Sequence, residues 1–386
     1  MACACWCCAA ATKARSVPAR PSTRSLPRWR KSASTAAPAA ICATSGETRL
    51  SIIADSPPIP PLAVALGDPA GIGPEIVAKA WEARHDACVP PFFAVGDARS
   101  IVAVWDGPLQ RIGSPDEALR TFAHALPLIQ MEDAGEIIPG EPNMAGARCS
   151  LDSLELAVGL TRSGAAGALV TGPVSKAQLY SIGFVHPGQT EFVAERCGIS
   201  GANAVMMLAG PSLRTVPVTT HVPLAEVQAL LSIDLIVAKA RATERGLIRN
   251  FGIEKPRLVI AGFNPHAGEG GALGREEIDF IIPAIEILRS EGVDVMGPLA
   301  ADTMFHARAR AQYDAAICLY HDQALIPLKT LHFDEGVNMT LGLPIVRTAP
   351  DHGTAFEIAG RDKANPGAMI SAIRMAGEAA GFRCMA

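Results

Sequence analysis

The feature that most constrains the fold is an alternation of short apolar runs with longer amphipathic stretches, which begins at Leu62. The apolar runs are typical of buried strands and include LAVAL, FFAVG, ALVTG, AVMML, TVPVTTH, RLVIAG and AAICLY. Between them lie helix-like stretches such as IVAKAWEAR, LAEVQALLSIDLIVAKARATERGLI and EEIDFIIPAIEILRSEG. This alternation indicates a mostly parallel sheet with helices on both faces. The sequence therefore predicts an α/β protein built as two α/β/α lobes with a cleft between them.

Residues 1–60 differ from the rest of the chain in composition. They are rich in Ala, Ser, Arg, Pro and Cys and show no sustained helix or strand period. Residues 1–50 contain eight Lys and Arg and one acidic residue, a net charge of +7, whereas the remainder carries −11. Such a leader is typical of a disordered tail, a transit-like segment or a start upstream of the natural one. Residues 61–386 are predicted to be the catalytic unit.

Composition also excludes several classes of protein. The acidic body argues against nucleic acid as the main partner. No apolar stretch approaches the roughly 20 residues that cross a bilayer, so we expect a soluble protein without a membrane partner. Five of the ten cysteines lie in the leader and the others are scattered singly, which favours a reducing compartment over a disulfide framework. We expect a cytoplasmic location.

Three histidines follow apolar runs at the point where a buried strand would end. They are His221 in TVPVTTHVP, His266 in LVIAGFNPHAGEGG and His321 in AAICLYHDQ. Because ligands bind at the carboxyl ends of strands in α/β sheets, these imidazoles can converge on one site. Three neutral imidazoles can hold a divalent metal and leave positions open for a substrate. The alternative for each is a capping or loop role, because no HExxH or zinc-finger spacing is present.

Downstream of His321, two cations and an amide indicate an anion site. Lys329 and Arg347 lie beside apolar runs, where an unpaired charge is costly, and Asn338 lies in the intervening GVNMT. An arginine offers a planar fork to phosphate or carboxylate, and a lysine offers a point charge. The sequence therefore favours anion binding over the alternative of solvated surface charges.

Two glycine-rich stretches allow two interpretations each, and one acidic stretch has a simple structural explanation. GDPAGIGPE, residues 67–75, lacks the GxGxxG spacing, so it is either a wall of the active site or a tight turn, and a Rossmann fold is not predicted. HGTAFEIAG, residues 352–360, can admit a flat adenine or be a helix-entry turn. The acidic residues expected mainly to complement the positive end of the next helix are Glu276, Glu277 and Asp279.

Taken together, these motifs resemble one known family. The chain from Leu62 onwards resembles the PdxA family of 4-hydroxythreonine-4-phosphate dehydrogenases of the vitamin B6 pathway. The matching stretches are GDPAGIGPEI, VTGPVSKAQL, TEFVAE, VMMLAG, TTHVPL, NPHAGEGG, EEID, GPLAADT, YHDQALIPLK, GVNMTLGLPIVRTAPDHGTA and EIAGRDKANPG. They are collinear over residues 62–386, and the resemblance does not extend to residues 1–60.

The resemblance implies an activity and an assembly. Family members oxidise 4-phosphooxy-L-threonine with NAD (NADP is not excluded for this chain), and the oxidised product loses CO2 to give 3-amino-2-oxopropyl phosphate. The pathway is pyridoxal 5'-phosphate biosynthesis. The implied fold is like that of isocitrate and isopropylmalate dehydrogenases, not a Rossmann fold. Family members are homodimers whose active site uses residues of both subunits.

The resemblance also implies site residues in this chain. The ligands of one divalent ion (zinc, magnesium or cobalt) would be His221, His266 and His321. The substrate-binding residues would be Gln189, Thr190, Lys329, Asn338 and Arg347. The stretch that binds the adenosine part of the cofactor would include His352, Gly353, Ala355 and Asn365. We expect Lys329 to act in proton transfer or electrostatic stabilisation, with Asp302 and Asp322 as candidate partners.

One departure leaves alternatives open. Many family members have a histidine where this chain has Gln189, and an amide can donate a hydrogen bond but cannot carry charge or a proton. A paralogous dehydrogenase acting on phosphorylated threonate or erythronate, or on a dihydrodiol, is therefore an alternative. A second alternative is a non-catalytic metabolite-binding protein or an acyltransferase relative.

Overall fold

The computed structural model describes residues 59–131 and 133–385, so the prediction about the leader lies almost wholly outside the described residues. The described chain forms twelve strands: β1 (Leu62–Ala65), β2 (Phe92–Gly96), β3 (Leu109–Arg111), β4 (Leu126–Gln130), β5 (Leu169–Thr171), β6 (Val205–Gly210), β7 (Leu213–Pro217), β8 (Arg257–Ala261), β9 (Asp294–Leu299), β10 (Ala315–Cys318), β11 (Val337–Leu341) and β12 (Arg347–Pro350).

The same residues form twelve α-helices: α1 (Gly73–Glu82), α2 (Ala98–Val102), α3 (Asp116–Thr121), α4 (Met144–Arg162), α5 (Lys176–Ser181), α6 (Gln189–Arg196), α7 (Leu224–Leu230), α8 (Ile233–Phe251), α9 (Ile282–Ser290), α10 (Ala307–Arg310), α11 (His321–His332) and α12 (Gly367–Met385). Short 3-10 turns occur at Gly201–Asn203, Pro265–Gly271, Ala301–Thr303 and Phe356–Ile358, and a π-helical turn at Glu277–Ile281. No helix in the described ranges is both long and apolar enough to cross a bilayer.

The described strands join one sheet in the order β3-β4-β2-β1-β5-β12-β11-β6-β7-β10-β8-β9. Neighbouring strands pair in parallel on both sides of a central antiparallel group. In that group β11 pairs antiparallel with β12 and β6, and β6 pairs antiparallel with β7. The predicted α/β class with a mostly parallel sheet is confirmed.

The antiparallel centre decides which residues share an edge of the sheet. Three reversals of direction separate β12 from β7, so the two parallel groups of strands run in opposite directions. The start of β12, where Arg347 lies, is therefore at the same edge as the carboxyl ends of β7 and β10. Those ends lead directly to His221 and His321. This arrangement places a cation from one half of the sheet beside imidazoles from the other half.

The strands are buried because helices cover both faces, as their apolar runs require. Every residue of β1, β2 and β10 is buried, and Phe92, Phe93 and Phe192 are among the largest fully buried side chains. Burial of one such aromatic ring stabilises the fold by about 1.5–3 kcal/mol relative to exposure. The core therefore fixes the strand ends from which the polar side chains project.

Two details of the fold differ from the sequence pattern. The stretch from Leu224 to Ile248, which has a continuous helical period, is divided into α7 and α8. Leu231 takes an extended backbone and is buried, and the hydroxyl of Ser232 then caps α8 by accepting from Leu235 N at 3.2 Å. Arg347 begins β12, whereas the sequence places it at the end of the run PIVR.

Candidate active site

A cavity of about 360 Å³ lies over the central strands of the sheet. Strand β12 contributes Arg347 to its lining, β11 contributes Asn338, and helix α6 contributes Gln189. The loop after β7 contributes His221, and His321 is the first residue of α11, which follows β10. A polar cavity of this size suits a small metabolite rather than a macromolecule.

Arg347 is the most unusual side chain in this cavity, because it is a 4% exposed cation without a carboxylate partner in the described chain. Its Nη1 donates to the hydroxyls of Thr190 (3.3 Å) and Thr340 (3.2 Å). Its Nη2 donates to the hydroxyl of Thr171 (2.7 Å) and the amide oxygen of Gln189 (3.2 Å). The Nε atom is buried without a partner.

The electrostatics of Arg347 favour a negative ligand. Loss of hydration lowers the pKa of Arg347 to about 10, and nearby Glu191 opposes this shift. The guanidinium is therefore still charged at neutral pH. Neutral hydroxyls and an amide satisfy its hydrogen bonds but do not neutralise its charge, which is costly in a buried position. An anionic group of a ligand in the cavity would supply the missing counter-charge.

The side-chain amide of Gln189 forms hydrogen bonds through both its oxygen and its nitrogen. Gln189 accepts from Arg347 through Oε1 and donates through Nε2 to the carbonyl of Gly172 at 3.1 Å. This orientation of the amide is the one that its hydrogen bonds assign. Gln189 therefore links the guanidinium to the end of β5. The side-chain oxygen of Asn338, in the same cavity, is buried and has no partner in the described chain.

His221 and His321 lie side by side, with ring centroids 5.6 Å apart. Loss of hydration lowers the pKa of His221, and the nearby Lys176 and His321 lower it further, so the neutral imidazole is favoured. Nδ1 of His321 lies 2.7 Å from Oδ1 of Asp322. A carboxylate on one ring nitrogen leaves the other free, which is the usual support for a metal-binding histidine.

His266 does not join the other two histidines within one chain. It is 71% exposed at the side chain, and its Nδ1 lies 3.3 Å from Glu269 Oε2. In residues 59–131 and 133–385, no three His, Cys, Asp or Glu side chains come together to hold a metal. Although β8 lies next to β10 in the sheet, the loop after it carries His266 outward.

The loop that carries His266 has an unusual backbone. Residues 266–270 all take a left-handed conformation, with φ of 53° at His266. The buried carboxylate of Glu277 accepts from the backbone N–H of Phe263 (2.8 Å) and of Asn264 (2.7 Å). Glu276 accepts from the Asn264 side chain at 2.6 Å. Together these contacts anchor the base of the loop.

The acidic stretch predicted to complement the next helix thus has a more specific role. Glu276 and Glu277 hold the loop, and only Asp279 lacks a bond to it, pairing instead with Arg275 at 3.0 Å. A non-glycine residue in a left-handed conformation is strained, and such strain persists where the surroundings enforce it, often at functional sites. His266 therefore lies exposed on a loop whose base is anchored by Glu276 and Glu277.

The three predicted catalytic residues occupy different places. Nζ of Lys329 contacts the carbonyl (2.5 Å) and the carboxylate (2.8 Å) of Asp351, and Asp351 lines the cavity. Asp322 is beside His321. Asp302 is exposed in the 3-10 turn Ala301–Thr303, outside the cavity lining.

The stretch expected to bind the cofactor begins at the cavity and continues along the surface. His352 lines the cavity, and Gly353 has open space where a side chain would stand. Ala355 is left-handed, with φ of 43°, and Asn365 is exposed and accepts from Gly367 N at 2.9 Å. The space at Gly353 and the exposure of Asn365 leave these two positions accessible, whereas Ala355 packs partly against the core.

The two glycine-rich stretches are in contact with each other. The backbone N–H of Ile72 donates to the carbonyl of Thr354 at 3.0 Å. At Gly71, a Cβ atom would meet that carbonyl oxygen at 3.1 Å, so a glycine allows the close approach. The turn after β1 therefore supports residues 352–355 from behind. This contact favours the interpretation of residues 67–75 as part of a site wall.

Four charged residues in the lining were not among the sequence-predicted site residues. They are Lys176, Glu191, Lys239 and Asp351. Lys176, Glu191 and Asp351 lie inside stretches that carry the family resemblance, so that signal was available. Lys239 lies in the middle of α8 between apolar residues, and loss of hydration lowers its pKa. A lysine between two alanines in a predicted helix was the only sequence signal for it.

These features define an α/β protein with a polar cavity in which a buried arginine lies near a pair of histidines. A family model described as pyridoxal phosphate biosynthetic protein PdxA matches residues 90–376. The 4-hydroxythreonine-4-phosphate dehydrogenase of Zymomonas mobilis is 58% identical over 320 residues, which cover 83% of this chain and 96% of that protein. The chain therefore belongs to the PdxA family, and the resemblance seen in the sequence is confirmed.

Solved structures agree with this membership. The crystal structure of 4-hydroxythreonine-4-phosphate dehydrogenase from Klebsiella pneumoniae matches with a TM-score of 0.75 and 36% identity, over 83% of this chain and 99% of that one. A terephthalate 1,2-cis-dihydrodiol dehydrogenase from Burkholderia xenovorans matches with a TM-score of 0.57 and 30% identity, over 82% and 97% of the two chains. Both similarities extend over nearly the whole of the matched proteins.

Proposed function

We propose that this chain is an NAD-dependent 4-hydroxythreonine-4-phosphate dehydrogenase of pyridoxal 5'-phosphate biosynthesis. The substrate is 4-phosphooxy-L-threonine, and the product after loss of CO2 is 3-amino-2-oxopropyl phosphate. Membership of the PdxA family and the names of its relatives support the reaction class. The observation that carries the proposal is Arg347, a buried cation without a counter-ion in a cavity of metabolite size.

Arg347 binds an anionic group of the substrate, either its phosphate or its carboxylate. Thr190 and Gln189 already hold the guanidinium in place, so little rearrangement is needed when the ligand enters. Asn338 supplies an unsatisfied oxygen that can accept from a donor group of the substrate. The cavity lies over the antiparallel centre of the sheet. We further propose that each parallel group of strands, with its helices, forms one of two lobes and that the active site lies between them.

His221 and His321 are proposed to hold a divalent ion, which is zinc, magnesium or cobalt. The residues fit such an ion, because two imidazoles stand side by side, His221 favours its neutral form, and Asp322 orients His321. When bound, the ion supplies Lewis-acid polarisation of the substrate hydroxyl. Two protein ligands are fewer than such sites normally use, so a third must come from elsewhere.

The third ligand is proposed to be His266 of a second subunit in a homodimer. His266 is exposed on an anchored loop, and Asp302 is exposed in a turn that packs near that loop, so both are available to another chain. Leu224, which lines a pocket together with both histidines, is 68% exposed, and Ile326, later on the helix that His321 begins, is 63% exposed. Exposed apolar groups of this size commonly mark interfaces.

A nicotinamide cofactor supplies the hydride acceptor, with its adenosine part on His352, Gly353, Ala355 and Asn365. In the overall reaction, the hydrogen on the substrate carbinol carbon leaves as hydride and the hydroxyl proton passes to a base. The electron pair of the broken carboxyl bond then stays on the neighbouring carbon, which takes up a proton. Lys329, held beside Asp351 at the cavity wall, is proposed to hold or deliver a proton in these steps. The enzyme is proposed to act in the cytoplasm.

The proposal is tested by measuring NADH formation with 4-phosphooxy-L-threonine. Activity is expected to disappear with a chelator and to return when a divalent ion is added. His221→Ala is expected to lower kcat by orders of magnitude, whereas His85→Ala, at an exposed histidine outside the cavity, is the matched control. Full activity in the presence of the chelator, with metal content measured as zero, would contradict the metal assignment.

Shared sites are tested separately by subunit complementation. His221→Ala and His266→Ala homodimers are each expected to be inactive. After the two are mixed and allowed to exchange subunits, about half of the dimers carry one complete site, so about a quarter of wild-type activity is expected. No recovery, despite proven subunit exchange, would show that His266 acts in its own chain or not at all.

A second candidate substrate class follows from the likeness to a dihydrodiol dehydrogenase and from the amide at Gln189. Oxidation of a cis-dihydrodiol would use the same hydride acceptor, but a dihydrodiol substrate carries no phosphate group. Comparison of kcat/KM for 4-phosphooxy-L-threonine, phosphorylated threonate and erythronate, and a dihydrodiol carboxylate decides between them. A preference for the dihydrodiol by more than tenfold would overturn the primary proposal.

A further inference from the structure

A second cavity, of about 390 Å³, lies away from the catalytic cavity and shares none of its lining residues. It is formed by helix α8, the end of α12 and the loop between β11 and β12. Its wall contains apolar surface from Ile199 and Leu343, and polar surface from Asn203 and Asn250. The volume again lies in the range of sites for small molecules.

The charge in this cavity is one-sided. Its lining contains Arg245, Arg249 and Arg383, and none of the described lining residues is acidic. Within residues 59–131 and 133–385, none of the three arginines forms an ion pair. In this part of the chain the Arg245 side chain makes no hydrogen bond, and Nη2 of Arg249 donates to the carbonyl of Pro344 at 3.4 Å. Arg245 and Arg249 are four residues apart on α8, a spacing that brings like charges together on one helix face.

Two arginines near this cluster in sequence have a carboxylate partner, which the three arginines of the cavity lack. Arg241, one turn earlier on the same helix, forms an ion pair with Glu291, and Arg257 forms one with Asp314 at 3.1 Å. A group of three cations without a counter-ion is unfavourable in the empty protein. Arg245 and Arg249 are exposed, so solvent screens part of this repulsion, and an anion in the cavity would relieve the rest.

Arg383 is the fixed member of the cluster. Its Nε donates to the side-chain oxygen of buried Asn250 at 2.8 Å. Its Nη1 donates to the carbonyl of Pro344 at 2.7 Å, and Nη2 to that of Leu343 at 3.3 Å. Burial and the neighbouring charge of Arg249 lower the pKa of Arg383 to about 10. Neutral acceptors alone surround it, so its positive charge stays available to the cavity.

From this geometry we propose that the cavity lined by Arg245, Arg249 and Arg383 binds a phosphate-bearing small molecule, at a site distinct from the catalytic cavity. Residues 343 and 344, whose carbonyls accept hydrogen bonds from Arg383, lie four and three positions before Arg347 on the chain. Gly342 begins this connection in a left-handed conformation, and a Cβ there would lie 2.2 Å from the carbonyl oxygen of Asn203. The connection is thus tightly packed, and an anion beside it acts on the position of Arg347.

The binding site is tested by chemical protection of the full-length protein. Phenylglyoxal modifies accessible arginines, and peptide mass mapping reports the rate at each one. Inorganic phosphate at ten times its dissociation constant is expected to slow modification of Arg245 and Arg249 about tenfold. Arg241 is the matched control and should keep its rate, as should all three residues when chloride replaces phosphate at equal ionic strength. Equal rates with and without phosphate at Arg245 would overturn the proposal.

A second experiment measures the influence on catalysis and rests on the proposed function. In the wild type, added phosphate at constant ionic strength is expected to change the substrate KM by more than simple competition explains. The double variant Arg245→Gln/Arg249→Gln should keep the basal kcat but lose this additional change in KM. If phosphate protects the arginines but the double variant and wild type respond identically in KM, the coupling to Arg347 is wrong and the binding site stands. Protection does not require catalysis, so failure of the proposed activity would leave the first test intact.

Discussion

Arg347, which is buried, and Arg383, which is partly buried, are two arginines with similar pKa shifts and different partners. Loss of hydration lowers the pKa of each to about 10, and neither has a carboxylate partner. Arg347 donates to side-chain hydroxyls and an amide that line a cavity, whereas Arg383 donates to backbone carbonyls of a loop. We infer that Arg347, whose partners are side chains lining a cavity, binds a ligand. Arg383, whose partners are mainly backbone carbonyls, stabilises a loop and adds positive charge to the second cavity.

The largest effect is expected for Arg347→Met. The variant removes the counter-charge for the substrate anion, and kcat/KM should fall about 100-fold to 1000-fold, as is typical when a charged hydrogen-bonding partner is lost. The free energy of unfolding should change little, because a buried uncompensated charge is also removed. Steady-state NADH kinetics and urea denaturation measure the two. If activity is lost only in proportion to the loss of folded protein, Arg347 has a structural role like that of Arg383 and does not bind the substrate.

Arg383→Met should show the opposite pattern. The carbonyls of Leu343 and Pro344 and the oxygen of Asn250 lose their donor, so the free energy of unfolding should fall by about 1–3 kcal/mol. Turnover at saturating substrate should stay near that of wild type. Urea denaturation and kcat give the answer, with Arg383→Lys as the conservative partner. A variant of unchanged stability would show that these backbone contacts do not hold the loop.

Gln189→Leu sharpens the account of the catalytic arginine. Without the amide, Arg347 loses one acceptor and the link to Gly172, so kcat/KM should fall about tenfold, the equivalent of one hydrogen bond. Gln189→His is the paired variant, because an imidazole can accept from Arg347. We expect it to retain most activity with 4-phosphooxy-L-threonine. A larger defect in Gln189→His than in Gln189→Leu would contradict the positioning role.

The smallest effect is expected for Arg249→Gln. Removal of one of two like charges at this helical spacing should raise the free energy of unfolding by about 0.2–0.5 kcal/mol at low salt. Added salt should abolish the gain, because screening weakens repulsion between exposed charges. Thermal unfolding at two ionic strengths measures it, with Arg241→Gln as the control that breaks an ion pair instead. A loss of stability in Arg249→Gln would mean that its partners outweigh the repulsion.

The sequence predicted most of the architecture, because apolar runs of strand length record burial directly. β2 coincides with the run FFAVG, β1, β5, β8 and β10 each lie in a predicted run, and β6 and β7 overlap theirs. Such a run carries no information on direction, however. The antiparallel centre of the sheet was therefore not predicted, although it is what brings Arg347 to the edge occupied by His221 and His321.

Prediction of the site was partial for a related reason. The apolar residues around Arg347 in the sequence indicated an anion site. The structure shows in addition that Arg347 is buried and has no counter-ion in the described chain. The position of His266 could not be read from strand-end spacing, because the left-handed loop after β8 turns it outward. Its convergence with His221 and His321 stays a prediction, as do the cofactor residues.

By itself, the sequence determined the α/β class, the buried strands, the family and the chemical types of the site residues, because hydrophobic period and residue chemistry are local properties. Only the tertiary structure decided which of these residues meet. It joined Arg347 to Gln189, paired His221 with His321, and gathered Arg245 and Arg249 with Arg383 from the far end of the chain. The reason is physical: strand direction and loop conformation are set by packing among distant segments, and no local pattern records that packing.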